Sequence, residues 1–230
     1  MSYFIDRSTN MKPETRQRLV EVARDLFLQQ GYAATGIAQI LQKADAGSGS
    51  LYYFFPTKED LLLAVLDWYL DNLCPEVLDP VFTRVSDPIE RIFGILDGYR
   101  KMLLATDFAQ GCPVGNLSLE LCNSHPAARA KIVANFTQWR HAVQHCLDDA
   151  AGRLPSDIDR QQLAQFVLTV MEGAVMLARA DRSIDSYDAA VTSLRDYFER
   201  LQKDGTDWAK PRRRAKRKRS TSHPHSRSKS

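Results

Sequence analysis

The most reactive side chains in this sequence are its thiols and imidazoles, and neither group is arranged for catalysis. Cys74, Cys112, Cys122 and Cys146 lack the paired spacing of a zinc or iron–sulfur site. His141 and His145 lie one helical turn apart, yet no carboxylate or cysteine pair stands near enough to complete a site, so neither a metal nor a cofactor is expected. The sequence contains no nucleophile elbow, no phosphate-binding glycine loop and no zinc-protease helix, which makes an enzyme the weakest reading. A different chemistry is written in residues 47–55, GSGSLYYFF. Small residues at the start of a short helix let its backbone approach base edges and phosphates. The hydroxyls of Tyr52 and Tyr53 can then bond phosphate oxygens while their rings meet thymine methyls. Ser48, Gly49, Ser50, Tyr52 and Tyr53 are therefore candidate contacts to double-stranded DNA. Taken alone, the segment reads equally well as hydrophobic core.

The elements that must position these residues are helices. From residue 15 to about 203 apolar residues recur at helical spacing and nowhere alternate as in a half-buried strand, so the chain reads as all-α. Leu19, Val22, Ala23, Leu26 and Phe27 form one stripe of a first helix that Gly31 ends. Ile37, Ile40, Leu41 and Ala44 give a short second helix, and Pro56 stops the third. Thr57 with Asp60 resembles a capping box opening a helix that runs to Pro75. Asp87-Pro88 starts a helix to about Ala105, and a break at 111–116 precedes a short helix to Cys122. His125-Pro126 begins a long helix to Gly152. Asp157 caps one to about Asp181, and Asp185 or Ser186 caps the last, to about Lys203. The count is nine.

Charge divides the chain more sharply than its net of +3 suggests. Residues 206–230 carry ten Lys/Arg against one Asp, which leaves 21 basic against 27 acidic side chains in residues 1–205. The tail has no apolar periodicity and reads as disordered. The first eighteen residues are too polar for a signal peptide and no uninterrupted apolar run is long enough for a membrane span, so a cytoplasmic protein with free thiols and no membrane contact is expected.

Residues 15–66 closely resemble the DNA-binding domain of the TetR family. The signature is a Gly-aromatic step, a Thr opening the second helix, and a Leu-Tyr-x-x-Phe-x-x-Lys-x-x-Leu run, here Gly31-Tyr32, Thr35, and Leu51-Tyr52 with Phe55, Lys58 and Leu61. The resemblance implies a three-helix domain with a helix-turn-helix over 15–57, after an arm at 1–14. A six-helix ligand-binding and dimerisation domain would follow over 58–205, then the tail. It also implies phosphate contacts by Thr35 and Lys58, with Ser48, Gly49, Ser50, Tyr52 and Tyr53 in or along the groove, whereas Phe55, Ile40 and Leu51 read as core. Two positions depart from the family pattern. The usual turn glycine is Asp45, and the basic residue often found early in the recognition helix is Ser48. Residues 1–60 hold seven basic and seven acidic side chains, so the tail is a candidate source of nonspecific DNA affinity.

The family's effector domains vary, so the fold says little about the ligand. Tyr99, Met102, Leu103, Phe108, Phe136, Trp139 and Phe166 fall on helices that surround the family's ligand cavity, and suit a small apolar or amphipathic effector. Residues 111–122, GCPVGNLSLELC, resemble a branch that includes electrophile- and acrylate-responsive regulators, in which a Gly-Cys opens the corresponding helix. Cys112 is thus a pocket residue, and either a thiolate sensor favoured by helix N–H groups or an inert packing thiol. Helix 157–181 is small and apolar nearly all round, which calls for a second subunit. Val170, Gly173, Ala174 and Leu177, with Leu194, Phe198 and Leu201, would form a four-helix homodimer interface. The expected function is a dimeric regulator, most simply a repressor released from operator DNA by a small molecule. The alternatives are a covalent electrophile or oxidant sensor acting through Cys112, and an effector-independent architectural protein that uses its basic tail.

Overall fold

The computed structural model describes residues 13–208, with side chains through Lys203; the arm at 1–12 and the basic tail lie outside the described residues. Nine helices make up this span: α1 (Pro13–Gln30), α2 (Ile37–Lys43), α3 (Ser48–Phe54), α4 (Lys58–Asn72), α5 (Pro88–Ala105), α6 (Pro113–Leu121), α7 (Pro126–Asp149), α8 (Arg160–Asp181) and α9 (Asp185–Trp208). Helix α4 runs on through a π-helical stretch, Leu73–Leu78, into the single turn Asp79–Phe82. Pro75 supplies no N–H for the carbonyl four residues back, and the widened turns there are the local answer to that loss. No strand occurs among the described residues.

Four of the helix starts carry a side-chain cap. Thr57 and Asp60 form the reciprocal capping box that opens α4. The Asp87 carboxylate accepts from the Ile89 and Glu90 amides at the start of α5. Four ends differ from expectation. Asp185 and Ser186 do not cap α9 but lie in its first turn, and the Ser183 hydroxyl accepts from the Asp185 N–H. The N-cap of α8 is Asp159, whose carboxylate accepts from Gln162 N–H, and not Asp157. Helix α7 stops at Asp149 and a short 3₁₀ turn, Ala151–Arg153, takes up the remainder. Helix α9 continues past Lys203 to Trp208.

The apolar side chains form two cores. One joins α5, the C-terminal half of α7, α8 and α9, around residues such as Ile92, Leu96, Val143, Leu168, Met171 and Leu194. The other joins α1–α4, and it also contains Val114, Leu117 and Leu121 of α6 with Ala128 and Ile132 of α7. Helix α6 thus packs with the N-terminal helices, although it follows α5 in the chain. Tyr99 and Phe136 pack against both cores. Polar ties reinforce the second layer: Arg100 of α5 grips Asp188 of α9 through two bonds of 2.7 and 2.9 Å, and the buried Tyr187 hydroxyl donates to the Leu96 carbonyl. By length and composition alone α8 would suffice to cross a membrane. Here Leu163, Val167, Met171 and Ala178 are buried within the fold.

Candidate DNA interface and effector cavity

Helices α2 and α3 are held on α1 by the buried Leu19, Leu26, Ile40, Ala44 and Leu51. The turn between them is fastened from outside, since Arg18 Nε donates to the Ala44 carbonyl at 2.6 Å. Asp45 takes a left-handed φ of 45° in that turn, a conformation natural to glycine and tolerated by Asp and Asn. Leu51 faces the core, so the opposite side of α3 faces solvent. Tyr52 and Tyr53 are 53% and 68% exposed, Ser48 and Gly49 are exposed, and Ser50 is half-buried. The N-cap, Gly47, offers no side chain to the first amides of the helix. These five residues form one polar and aromatic surface.

Thr35 and Lys58 are placed differently. Thr35 is 1% exposed, its hydroxyl donating to the Gly31 carbonyl at 2.7 Å and accepting from Gln30, so it shapes the α1–α2 turn and does not face outward. Lys58 Nζ donates to the Tyr32 carbonyl at 2.6 Å and lies 4.1 Å above the Tyr32 ring. Burial pulls the Lys58 ammonium below its usual pKa, against an opposing effect of Glu120. Glu120 of α6 completes this joint by accepting from the amides of Tyr32 and Ala33. Gly31 makes the approach possible: its φ is +85°, and a Cβ there would stand 3.1 Å from the Glu120 carboxylate.

A cavity of about 410 Å³ lies between α4 and its π-helical extension, α5, the start of α6, and α7. Tyr99, Met102, Cys112, Phe136 and Trp139 line it as expected. Leu103, Phe108 and Phe166 do not. Leu103 is fully buried in the larger core, and Phe108 packs on that core after a left-handed turn at φ 60°. Phe166 is exposed on α8 and meets Tyr197 of α9 edge-on at 5.8 Å. Trp68, Tyr69, Leu73 and Val77 were missed, because the apolar run of α4 reads as core throughout. Asn135 was missed too, since it is one of many polar residues on its helix. The cavity opens toward α1, where Leu28 forms part of its wall and the Arg24 guanidinium stacks 4.1 Å over Trp68.

Cys112 is the N-cap of α6, and its sulfur accepts from Gly115 N–H at 3.4 Å. That bond alone would favour a thiolate. Burial and the neighbouring Glu172 carboxyl outweigh it and push the thiol far up, which favours the packing-thiol alternative over the thiolate one. Burial likewise raises the Glu172 carboxyl. The Tyr99 hydroxyl donates toward the Cys112 sulfur at 4.0 Å and bonds with the Trp139 side chain.

Of the residues expected at a dimer interface, Ala174, Leu194 and Phe198 are buried within the single chain and belong to its own core. Leu177 is 50% exposed, Val170 and Gly173 are half-buried on α8, and Leu201 is half-buried on α9. Phe166, Met176 and Tyr197 extend this face as exposed apolar side chains.

Comparisons with known proteins agree with this arrangement. Residues 19–65 match the family model described as bacterial regulatory proteins, tetR family, and residues 88–194 match a tetracyclin repressor-like C-terminal domain. The HTH-type transcriptional repressor DhaR of Mycobacterium sp. is 27% identical over 77% of this chain and 88% of its own length. An HTH-type transcriptional regulator of Mycobacterium tuberculosis is 30% identical over 79% of this chain and 92% of its own. Among solved structures, a regulatory protein TetR from Rhodobacter sphaeroides superposes with a TM-score of 0.71 at 25% identity, covering 78% of this chain and 96% of that one.

Proposed function

The chain belongs to the TetR family of DNA-binding transcriptional regulators, and from that premise we propose that it acts as a homodimeric repressor released from its operator when a small molecule fills the cavity between α4, α5, α6 and α7. One observation carries this reading. Helix α6 begins at the cavity wall with Cys112 and ends, at Glu120, on the turn that leads into α2. A ligand that displaces the start of α6 has a short rigid path to the recognition helix. The exposed surface of Ser48, Gly49, Tyr52 and Tyr53 would enter the major groove, and the apolar face of α8 and α9 would bind a second copy and set the spacing of the two recognition helices. This reading gives the protein no membrane contact and a cytoplasmic site of action.

Covalent sensing at Cys112 is the less supported alternative, because a buried neutral thiol is a poor nucleophile. The architectural reading rests on the tail, outside the described residues. The experiment is a footprint on the DNA upstream of the gene with the full-length protein. A protected palindromic site of two half-sites about one helical turn apart supports the proposal, and protection without sequence preference would replace it with the architectural reading.

A further inference from the structure

The cavity wall holds a buried acceptor that the protein itself does not use, the side-chain oxygen of Asn135. Asn135 of α7 is 6% exposed and lines the cavity. Its amide orientation is fixed, since Nδ2 donates to two carbonyl oxygens, those of Leu66 on α4 and Lys131 on α7, both at 3.0 Å. Neither acceptor would tolerate the amide the other way round. The oxygen, Oδ1, therefore remains, and it has no hydrogen-bond partner among the described residues. Of the other polar groups nearby, the Tyr99 hydroxyl donates toward the Cys112 sulfur, whereas the Tyr69 hydroxyl also lines the cavity and the buried Glu172 Oε1, behind Cys112, has no hydrogen-bond partner.

The charged side chains at the cavity, Glu76, Arg84, Asp97 and Lys101, are all solvent-exposed. Lys101 and Asp97 neutralise one another at 2.6 Å, and Arg84 Nε donates to the Pro80 carbonyl. An ionised ligand head would thus lose its water without meeting a buried counter-charge.

Building on the effector reading above, we propose that the cavity takes a neutral, largely apolar molecule carrying one hydroxyl or N–H, and that Asn135 Oδ1 accepts that proton and selects for it. A buried acceptor left without a partner penalises a ligand that lacks the donor, which is how polar groups in apolar pockets discriminate between close analogues. The same amide bonds the Leu66 carbonyl, so the bound ligand is anchored to α4, the helix whose first residue holds the Tyr32 turn.

The test uses the full-length protein and three probes that share one apolar body: 4-tert-butylphenol, 4-tert-butylanisole and 4-tert-butylbenzoate, titrated by calorimetry. The phenol is expected to bind about tenfold more tightly than the ether and the carboxylate, the scale of one hydrogen bond. In Asn135→Leu the gap between phenol and ether should close, with Asn135→Ala serving if the leucine variant does not fold. Equal affinity of phenol and ether for the wild-type protein, or a gap that survives in the Asn135 variant, overturns the role of Asn135. Carboxylate binding as tight as that of the phenol overturns neutrality. Failure of all three probes to bind removes the cavity reading itself, a result distinct from binding without discrimination.

Discussion

The carboxylate of Glu120 accepts from the main-chain N–H of Tyr32 at 2.9 Å and from that of Ala33 at 2.6 Å, across 88 residues of sequence for the first of these. This acceptor on a helix from the effector half fixes the turn that starts the helix-turn-helix, while the Lys58 ammonium holds the opposite side of the same turn through the Tyr32 carbonyl. Glu120→Ala leaves two amides to solvent and should cost about 1–2 kcal/mol, because hydrogen bonds to a charged acceptor are stronger than neutral ones. The expected readout is a lower Tm together with operator binding that responds less to effector. A variant with wild-type release would show that α6 does not carry the signal through this joint.

Lys58 and Tyr53 should separate in mutagenesis. Tyr53→Ala, at a solvent-facing position, is expected to weaken operator binding with the Tm unchanged, whereas Lys58→Met should lower both, since it removes the bond to the Tyr32 carbonyl. Fluorescence polarisation on operator DNA beside thermal melts decides it. If Lys58→Met affected binding alone and reduced the salt slope by about one unit, Lys58 would be a phosphate contact first and a structural one second.

A side chain at Gly115 would force the Glu172 carboxylate to move. A Cβ there would lie 2.3 Å from a carboxylate oxygen of Glu172, itself packed against Cys112. Gly115→Ala should destabilise by about 1–3 kcal/mol as α6 lifts from α8. Gly115→Ala with Glu172→Ala should recover part of that loss, and denaturant melts of the single and double variants measure the coupling. Additive losses would mean that the contact is not what limits the site.

Stability should fall at alkaline pH. Burial pushes the Cys112 thiol and the Tyr69, Tyr99 and Tyr187 hydroxyls well up, and the Cys146 thiol to about 11. Their unfolded counterparts lose protons from about 8.5 for thiols and about 10 for tyrosines. Above those values the folded chain binds more protons than the unfolded one, so the unfolding free energy is fully present below about pH 8.5 and declines as pH rises. Urea melts at pH 7, 8.5 and 10 give the slope, and Cys112→Ala should flatten its first part. A curve unchanged by that substitution would assign the loss to Cys146 and the tyrosines.

Leu177→Glu places a charge on the half-exposed apolar face of α8 without touching either core. It should convert the dimer to a monomer by sedimentation and abolish two-half-site protection while the helical content stays the same. A dimer that survives the substitution would move the interface elsewhere.

The nine-helix architecture was legible because the helices carry their own apolar period and several carry a recognisable start or stop, as Thr57, Asp87 and Gly31 illustrate. The exposed face of α3 was legible for a related reason: Ser48, Gly49, Ser50, Tyr52 and Tyr53 are small or hydroxylated, and Leu51 alone among residues 48–53 is buried. What stayed hidden depends on contacts between distant segments. Thr35 looks like any exposed N-terminal threonine until the Gly31 carbonyl is found 2.7 Å away. Trp68 and Tyr69 continue an apolar stripe, and no periodicity distinguishes a wall with space behind it from one without. Asn135 and Glu120 are ordinary polar residues in their helices, and their partners lie 69 and 88 residues away.

The sharing of one core between α1–α4 and α6 bears on how such a regulator can be recombined. A chimera cut at residue 57 would join one protein's DNA-reading helices to another's α4 and α6, and Val114, Leu117 and Leu121 would meet a surface they did not co-evolve with. The unit that shares this core is discontinuous, residues 13–72 together with α6 and the start of α7, so grafting a new DNA specificity onto this chain means transplanting two separate stretches, or else repacking the side chains of α6 and of Ala128 and Ile132 to suit the newcomer.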